Sequence, residues 1–311
     1  SSGARAAEAM ARFKQKMLLV DAEISYWRLA SLKHQLQIQR ENLVRAERLV
    51  AWARRRVDSN LADRADLLQA EALFALREIE IRNSELETRS VGREFNAKRG
   101  IDRAEVVEPL ILPGVDLANV KKVTKTVDRE DLLAQKYQYD AQKAQAFAAR
   151  EKLLPQLDLF SSLALNGRDR EYSESLNEGF RADKPTLVFG LKLTIPLDMA
   201  VLDRAGQGYA AEAIAYDSVV KQKTFDAEVS WQELNEKFND LEDQLKRAQR
   251  LEIAQKNKLE YERRRLENGR SITSQVIQFE NDLAAAQSAR LQFETSIGIV
   301  LAQIKSFGEN Q

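Results

Sequence analysis

Two periods organise the apolar and polar positions of this chain. Across residues 1–108 and 197–311, apolar side chains recur at helical spacing among charged ones, as with Ile24, Trp27 and Leu29 or Val229, Trp231 and Leu234. That pattern predicts long amphipathic helices, each burying one stripe. All five prolines lie between positions 109 and 196, so neither stretch contains the residue that removes a helix donor and breaks the ladder.

Between Pro155 and Pro196 the period falls to two. Leu187, Phe189, Leu191, Leu193 and Ile195 share one face, with Thr186, Val188, Gly190, Lys192 and Thr194 on the other. Upstream, Leu157, Leu159, Leu163 and Leu165 alternate with Asp158, Ser162 and Ala164, while Phe160 and Ser161 blur the pattern. Two strands of about ten residues with one apolar face have the length and alternation of a lipid-spanning barrel hairpin. A soluble hairpin packed on a helix alternates in the same way. The polar, turn-rich stretch 166–185 between the strands favours the membrane reading.

The helical stretches are copies of one another. RRRVDSNLADRADLLQAEALFA at 54–75 lies on RRRLENGRSITSQVIQFENDLA at 263–284, and EISYWRL at 23–29 lies on EVSWQEL at 228–234, pairing Tyr26 with Trp231. The two matches differ in offset by four residues, about one helical turn, which keeps the stripe on the same face. Each copy breaks once, at Asp58-Ser59-Asn60 and at Glu267-Asn268-Gly269. Asn and Gly accept the left-handed conformation that ends a helix, and the arginine triplet before each break sits where cations favour the C-terminal dipole. Asp63 and Ser271 follow as caps or first-turn residues of a returning helix. Each copy therefore reads as an α-hairpin. A helix from residue 203 to the second break would run roughly 95 Å at 1.5 Å per residue, a rod that needs neighbours to cover its stripe.

Composition narrows the function classes. Forty-eight basic residues balance forty-eight acidic ones, which excludes the net basic footprint of a general nucleic-acid binder. Solvated faces or inter-helix pairs explain the arginine triplets better. With no cysteine and a single histidine, His34, neither a thiolate nor a multi-histidine metal centre is expected, and no cofactor. Trp27, Trp52 and Trp231 sit at helical spacing among apolar neighbours and read as packing residues. Gly206-Gln207-Gly208 lacks the further glycine and lysine of a phosphate loop. No run of 18 apolar residues exists for a membrane helix, and the opening residues lack signal-peptide character. No polar constellation suggests an enzyme.

The fold class expected is mainly α with one β-hairpin, built from long antiparallel α-hairpins. Its parts are a first α-hairpin over 1–98 (tip near 58–62), a linker over 99–128, a helix over 129–154, a membrane-type β-hairpin over 155–196 and a second α-hairpin over 197–311 (tip near 267–271). This order resembles the TolC-like outer-membrane efflux proteins. The resemblance is carried by LLPQLDL before the first strand, a strand ending in IPLD, the matched helix breaks, and DREDL at 128–132, similar to the segment that opens the family's second repeat. Together these cover nearly the whole chain.

The resemblance implies a homotrimer whose strands form one barrel in outer-membrane lipid and whose helices form a tunnel across the periplasm. It implies a periplasmic adaptor and an inner-membrane transporter as partners, and a passive exit duct as function. Carried over, the adaptor-contact tips are Asn60, Leu61 and Ala62 in the first copy and Gly269, Arg270 and Ser271 in the second. The pore-constriction candidates are Asp66 and Gln69, with Gln275 and Gln278. Neutral glutamines in the second copy argue against an acidic cation-binding ring. The family carries two β-hairpins per protomer, and the counterpart of roughly residues 128–205 is absent ahead of residue 1. The chain is therefore expected to be a fragment or a degenerate relative. A periplasmic adaptor and a non-conducting structural coiled coil are the alternatives. The tandem copies fit the first poorly, and the alternating strands contradict the second.

Overall fold

The computed structural model describes residues 2–112, 129–151, 154–165, 185–195, 197 and 199–308. The loop at 166–184, residues 113–128 of the linker, and Pro196 lie outside them. The elements in chain order are α1 (Ser2–Asp58), α2 (Arg64–Lys98), α3 (Glu130–Glu151), β1 (Gln156–Leu165), β2 (Pro185–Thr194), α4 (Met199–Glu267), α5 (Thr273–Ile304) and a closing 3-10 turn, Lys305–Phe307. The mainly helical class with one antiparallel strand pair is thus as the two periods predict. The chain divides into two compact units, residues 1–9 with 131–224, and 10–130 with 225–311.

The larger unit is organised by three apolar clusters. Nearest the hairpin turns, Ala46, Leu49 and Ala53 of α1 meet Ala70 and Leu73 of α2, Leu259 and Leu266 of α4, and Val276 and Leu283 of α5. Alanines at three of these positions let four helices converge, because a small side chain shortens the approach of its helix. Further along, Leu241 and Leu245 of α4 close on Ile297, Val300 and Ile304 of α5. A third cluster joins Ala30 of α1, Leu112 of the linker and Leu291 of α5. Helix α5 contributes to all three, which makes it the central helix of this unit.

Polar ties fix what the apolar contacts leave free to slide. Gln35 Nε2 donates to Ser288 Oγ at 3.0 Å, and Arg77 Nη2 donates to Asn281 Oδ1 at 2.6 Å. The linker is strapped down by Asn96, whose amide donates to the carbonyls of Arg103 and Glu105 at 2.9 and 3.1 Å. Lys33 Nζ reaches the Val106 carbonyl at 2.6 Å, and the Tyr26 hydroxyl meets the Ile111 carbonyl at 3.0 Å. Gly92 lies under this strap, and a Cβ there would stand 2.5 Å from the Ala104 carbonyl oxygen.

The tryptophans pack as expected. Trp27 lies against Gly298, Trp231 meets Phe307 with ring centroids 5.6 Å apart, and Trp52 receives the Arg56 guanidinium 4.9 Å from its ring centre. His34 is half-buried, with Nδ1 3.0 Å from the Ala30 carbonyl.

In the smaller unit, β1 and β2 pair antiparallel with Leu157 opposite Leu193, Leu159 opposite Leu191 and Leu163 opposite Leu187. This register brings the apolar faces of both strands together, with Ser161 opposite Phe189 its one polar position, while the other face sets Asp158 opposite Lys192. A slip of one residue would have mixed the two faces. Phe160 stands opposite Gly190, and its ring fills the space a Cβ would occupy there, 2.5 Å away. The leucines of the apolar face are solvent-exposed in the single chain.

Candidate functional site

The two helix turns are built alike, atom for atom. In the first, the Asn60 N–H donates to Val57 at 3.0 Å and the Leu61 N–H to Arg56 at 2.8 Å. In the second, Gly269 donates to Leu266 at 3.0 Å and Arg270 to Arg265 at 2.8 Å. These paired bonds form the Schellman closure, which requires a left-handed residue just past the helix. Asn60 at φ 53° and Gly269 at φ 69° supply it. The middle arginine of neither triplet closes the turn; the third does. Arg56 Nη2 donates to the Leu61 carbonyl and Arg265 Nη2 to the Arg270 carbonyl, both at 2.9 Å. Each turn is therefore clipped by its own arginine.

The returning helices start differently. Asp63 caps α2, its carboxylate accepting from the Ala65 N–H at 3.0 Å. Ser271 does not cap α5; the cap position is Ile272, with no side-chain bond. The Ser271 hydroxyl instead bonds the Glu262 carboxylate, which also accepts from Arg265 at 3.2 Å. Burial explains the diversion. Glu262 is only 6% exposed, and leaving its oxygens unpaired would cost more than an open cap. Asp63→Ala should then lower stability by about 1 kcal/mol, whereas Ile272→Asp should raise it by about 0.5–1 kcal/mol. Thermal melting of the two variants checks both signs.

Among the sequence-selected residues, Asn60, Leu61, Gly269 and Arg270 are exposed at the turns, and Ala62 and Ser271 are half-buried. Asp66 and Gln275 are half-buried in the first turn of their helices, with backbone N–H groups bonded to Asp63 at 3.1 Å and Ile272 at 3.2 Å. Gln69 and Gln278 are exposed, and Gln278 Nε2 donates to Asp282 Oδ1 at 3.0 Å. The ten residues of this set thus fall as five matched pairs in the two copies. Among the described residues, no group of three or more acidic or histidine side chains is placed to hold a metal ion.

A repeated ion pair stands just behind each turn and was readable from the alignment of the copies, which sets Arg54 with Arg263 and Glu71 with Glu280. Arg54 meets Glu71 at 3.0 Å on the surface. Arg263 meets Glu280, which is 4% exposed and takes a second arginine, Arg45 of α1, at 3.0 Å. The copies differ because α1 covers the second pair, while among the described residues the first stays open to solvent.

Comparison with known proteins adds the fold's identity. No protein-family description matches the chain, and no curated protein matches it by sequence. Solved structures do. The outer-membrane channel OprN superposes with a TM-score of 0.84 at 17% identity, over 100% of this chain and 70% of that one. The outer membrane protein VceC of Vibrio cholerae gives 0.76 at 21% identity, over 100% and 74%. The CmeC outer membrane channel of Campylobacter jejuni gives 0.82 at 14% identity, over 99% and 66%. These are channels or outer-membrane proteins rather than enzymes. With its paired α-hairpins, matched turns and one-sided strand pair, the chain has the TolC-like fold of the outer-membrane efflux channels.

Proposed function

We propose that this chain is an outer-membrane channel component of a tripartite efflux or type I secretion system, a passive exit duct extending from the outer membrane into the periplasm. The observation that carries the reading is the strand register. It gathers nearly all the large apolar side chains on one face, over strands of ten residues each, and a membrane tolerates strands only in a closed sheet. Two strands cannot close, so the reading requires strands from other copies in a homotrimer and more than β1 and β2 from each, since three such pairs fall short of the eight strands of the smallest membrane barrels.

In this reading Asn60, Leu61, Ala62, Gly269, Arg270 and Ser271 form the periplasmic tips that meet an adaptor protein. Asp66, Gln69, Gln275 and Gln278 line the constriction behind them. An inner-membrane transporter supplies the substrate, and the duct performs no covalent chemistry. Among the described residues no helix is long and apolar enough to cross a membrane, so insertion falls to the strands.

Planar-bilayer recording of the purified protein tests the proposal. Discrete conductance steps are expected, and Asp66→Ala should change their size or cation preference, because a carboxylate at a constriction sets the local field. Complete absence of steps under conditions that seat an oligomer would favour the non-conducting periplasmic coiled coil instead.

A further inference from the structure

The two turns share a closure but not the residues that form it. In the first the left-handed position is Asn60, followed by Leu61; in the second it is Gly269, preceded by Asn268. Only the second turn therefore holds an Asn-Gly pair. A carboxamide one residue ahead of glycine is open to attack by the following backbone nitrogen, because no side chain shields that nitrogen. Around Gly269 there is room for the reaction: a Cβ there would meet nothing within 4 Å, and Asn268 and Gly269 are both exposed. The chain's other Asn-Gly pair, Asn166-Gly167, lies outside the described residues.

Three bonds hold the pair in an unreactive arrangement. Asn268 Nδ2 donates to the Arg264 carbonyl at 2.8 Å, which folds the carboxamide back along α4. The Gly269 N–H donates to the Leu266 carbonyl at 3.0 Å, so the nitrogen that would attack is engaged. The Arg265 clip to the Arg270 carbonyl, at 2.9 Å, fixes the residue that follows. Solvent-exposed hydrogen bonds at a turn open locally at a free energy well below that of global unfolding.

We infer that Asn268 is a site of spontaneous covalent modification, converting to isoaspartate through a succinimide when the second turn opens, with the Arg265 clip setting how often it opens. On opening, the Gly269 nitrogen loses its proton to solvent base and attacks Cγ of Asn268. The Cγ–Nδ2 bond breaks and Nδ2 leaves as ammonia, taking up a proton, which closes a five-membered imide. Water then adds to one of the two imide carbonyls. Opening at the Asn268 backbone carbonyl gives isoaspartate, and opening at Cγ gives aspartate; water is the only co-reactant. Isoaspartate inserts one carbon into the backbone between residues 268 and 269 and removes the donor that met the Arg264 carbonyl. The Schellman closure depends on the spacing of residues around its left-handed position, so the modified turn no longer closes. Asn60 is spared because the Leu61 side chain crowds the nitrogen that follows it.

The test is peptide mapping by mass spectrometry of the full chain in detergent, aged in mildly alkaline buffer beside a sample unfolded in urea. Synthetic isoaspartate and aspartate peptides serve as chromatographic standards, and the Asn268 peptide is read apart from that of Asn166. Asn268 should convert in the folded protein, more slowly than in urea and with isoaspartate as the main product, while Asn60 stays intact. Arg265→Ala should raise the folded-state rate by about fivefold or more, as expected for loss of one hydrogen bond that opposes opening, and leave the rate in urea unchanged. Arg265→Lys keeps a cation beside Glu262 but shortens the reach to the Arg270 carbonyl, and should shift the rate in the same direction with an unchanged helical circular dichroism signal. Arg56→Ala removes the matching clip of the first turn and should leave conversion at Asn268 unmoved. No conversion in the folded protein while the urea sample converts, equal rates in the two samples, or equal acceleration by Arg56→Ala and Arg265→Ala would overturn the inference. Conductance enters none of these readouts, so they stand or fall apart from the duct proposal.

Discussion

Replacing Glu280 by alanine is expected to remove about 2–4 kcal/mol of stability, whereas Glu71→Ala, at the matching position of the other copy, is expected to remove less than about 1 kcal/mol. Both carboxylates partner an arginine across a hairpin. What separates them is solvent. The side chains of Arg54 and Glu71 are 60% and 41% exposed, so water replaces whichever partner is lost. The Glu280 side chain is 5% exposed and lies between those of Arg45 and Arg263, at 18% and 33%. Its removal leaves two guanidiniums facing each other across a poorly hydrated gap, with Asn42 as one remaining acceptor for Arg45. The arginines keep some contact with water, which holds the expected loss below that of a fully buried pair. Equilibrium urea unfolding followed by helical circular dichroism measures both variants. Similar losses at the two positions would show that burial by α1 does not govern the second pair.

The same kind of contrast is expected for glycine. Gly92→Ala should destabilise by about 1–3 kcal/mol, because its new methyl group meets a backbone carbonyl that cannot rotate away. The Ala104 oxygen lies 2.5 Å from the Cβ position, and Asn96 anchors the carbonyls on either side of it. Gly298→Ala should cost less, since the nearest atoms belong to the Trp27 ring at 3.0 Å, and a side chain can tilt. At Gly208 of α4, a Cβ meets nothing within 4 Å. There the substitution should stabilise by up to about 1 kcal/mol through helix propensity. Melting temperatures of the three variants should therefore fall in the order Gly208→Ala, Gly298→Ala, Gly92→Ala. A destabilised Gly208→Ala would mean that this face of α4 is covered in the protein as purified.

Much of the fold was legible because it rests on short-range rules. Asn60 and Gly269 marked the turns because few residues accept positive φ, and the arginine triplets marked the helix ends ahead of them. The two-residue alternation of Leu187 to Ile195 marked a strand because a pleat has no other period. The candidate site was legible in part. The matched positions of Asp66 with Gln275 and Gln69 with Gln278 follow from one offset between the copies. Ser271, read as a cap or first-turn residue, is neither, because its competitor, the buried carboxylate of Glu262, is a neighbour across a turn of helix and becomes demanding only when other helices exclude water from it.

By itself, then, the sequence determined the elements, their order, the site of each turn and the two-faced character of the strands, all of which depend on residues a few positions apart. Only the tertiary structure decided which copy lies inside. Helix α1 packs over the second hairpin, so Glu280 is buried and doubly paired where Glu71 is solvated, and α5 becomes the central helix of its unit. The strand register belongs to the same class, since alternation assigns a face to each residue but not the partner opposite it. The physical reason is the same in both cases. Burial is a property of what surrounds a residue, and two nearly identical segments acquire different energetics once one of them is covered.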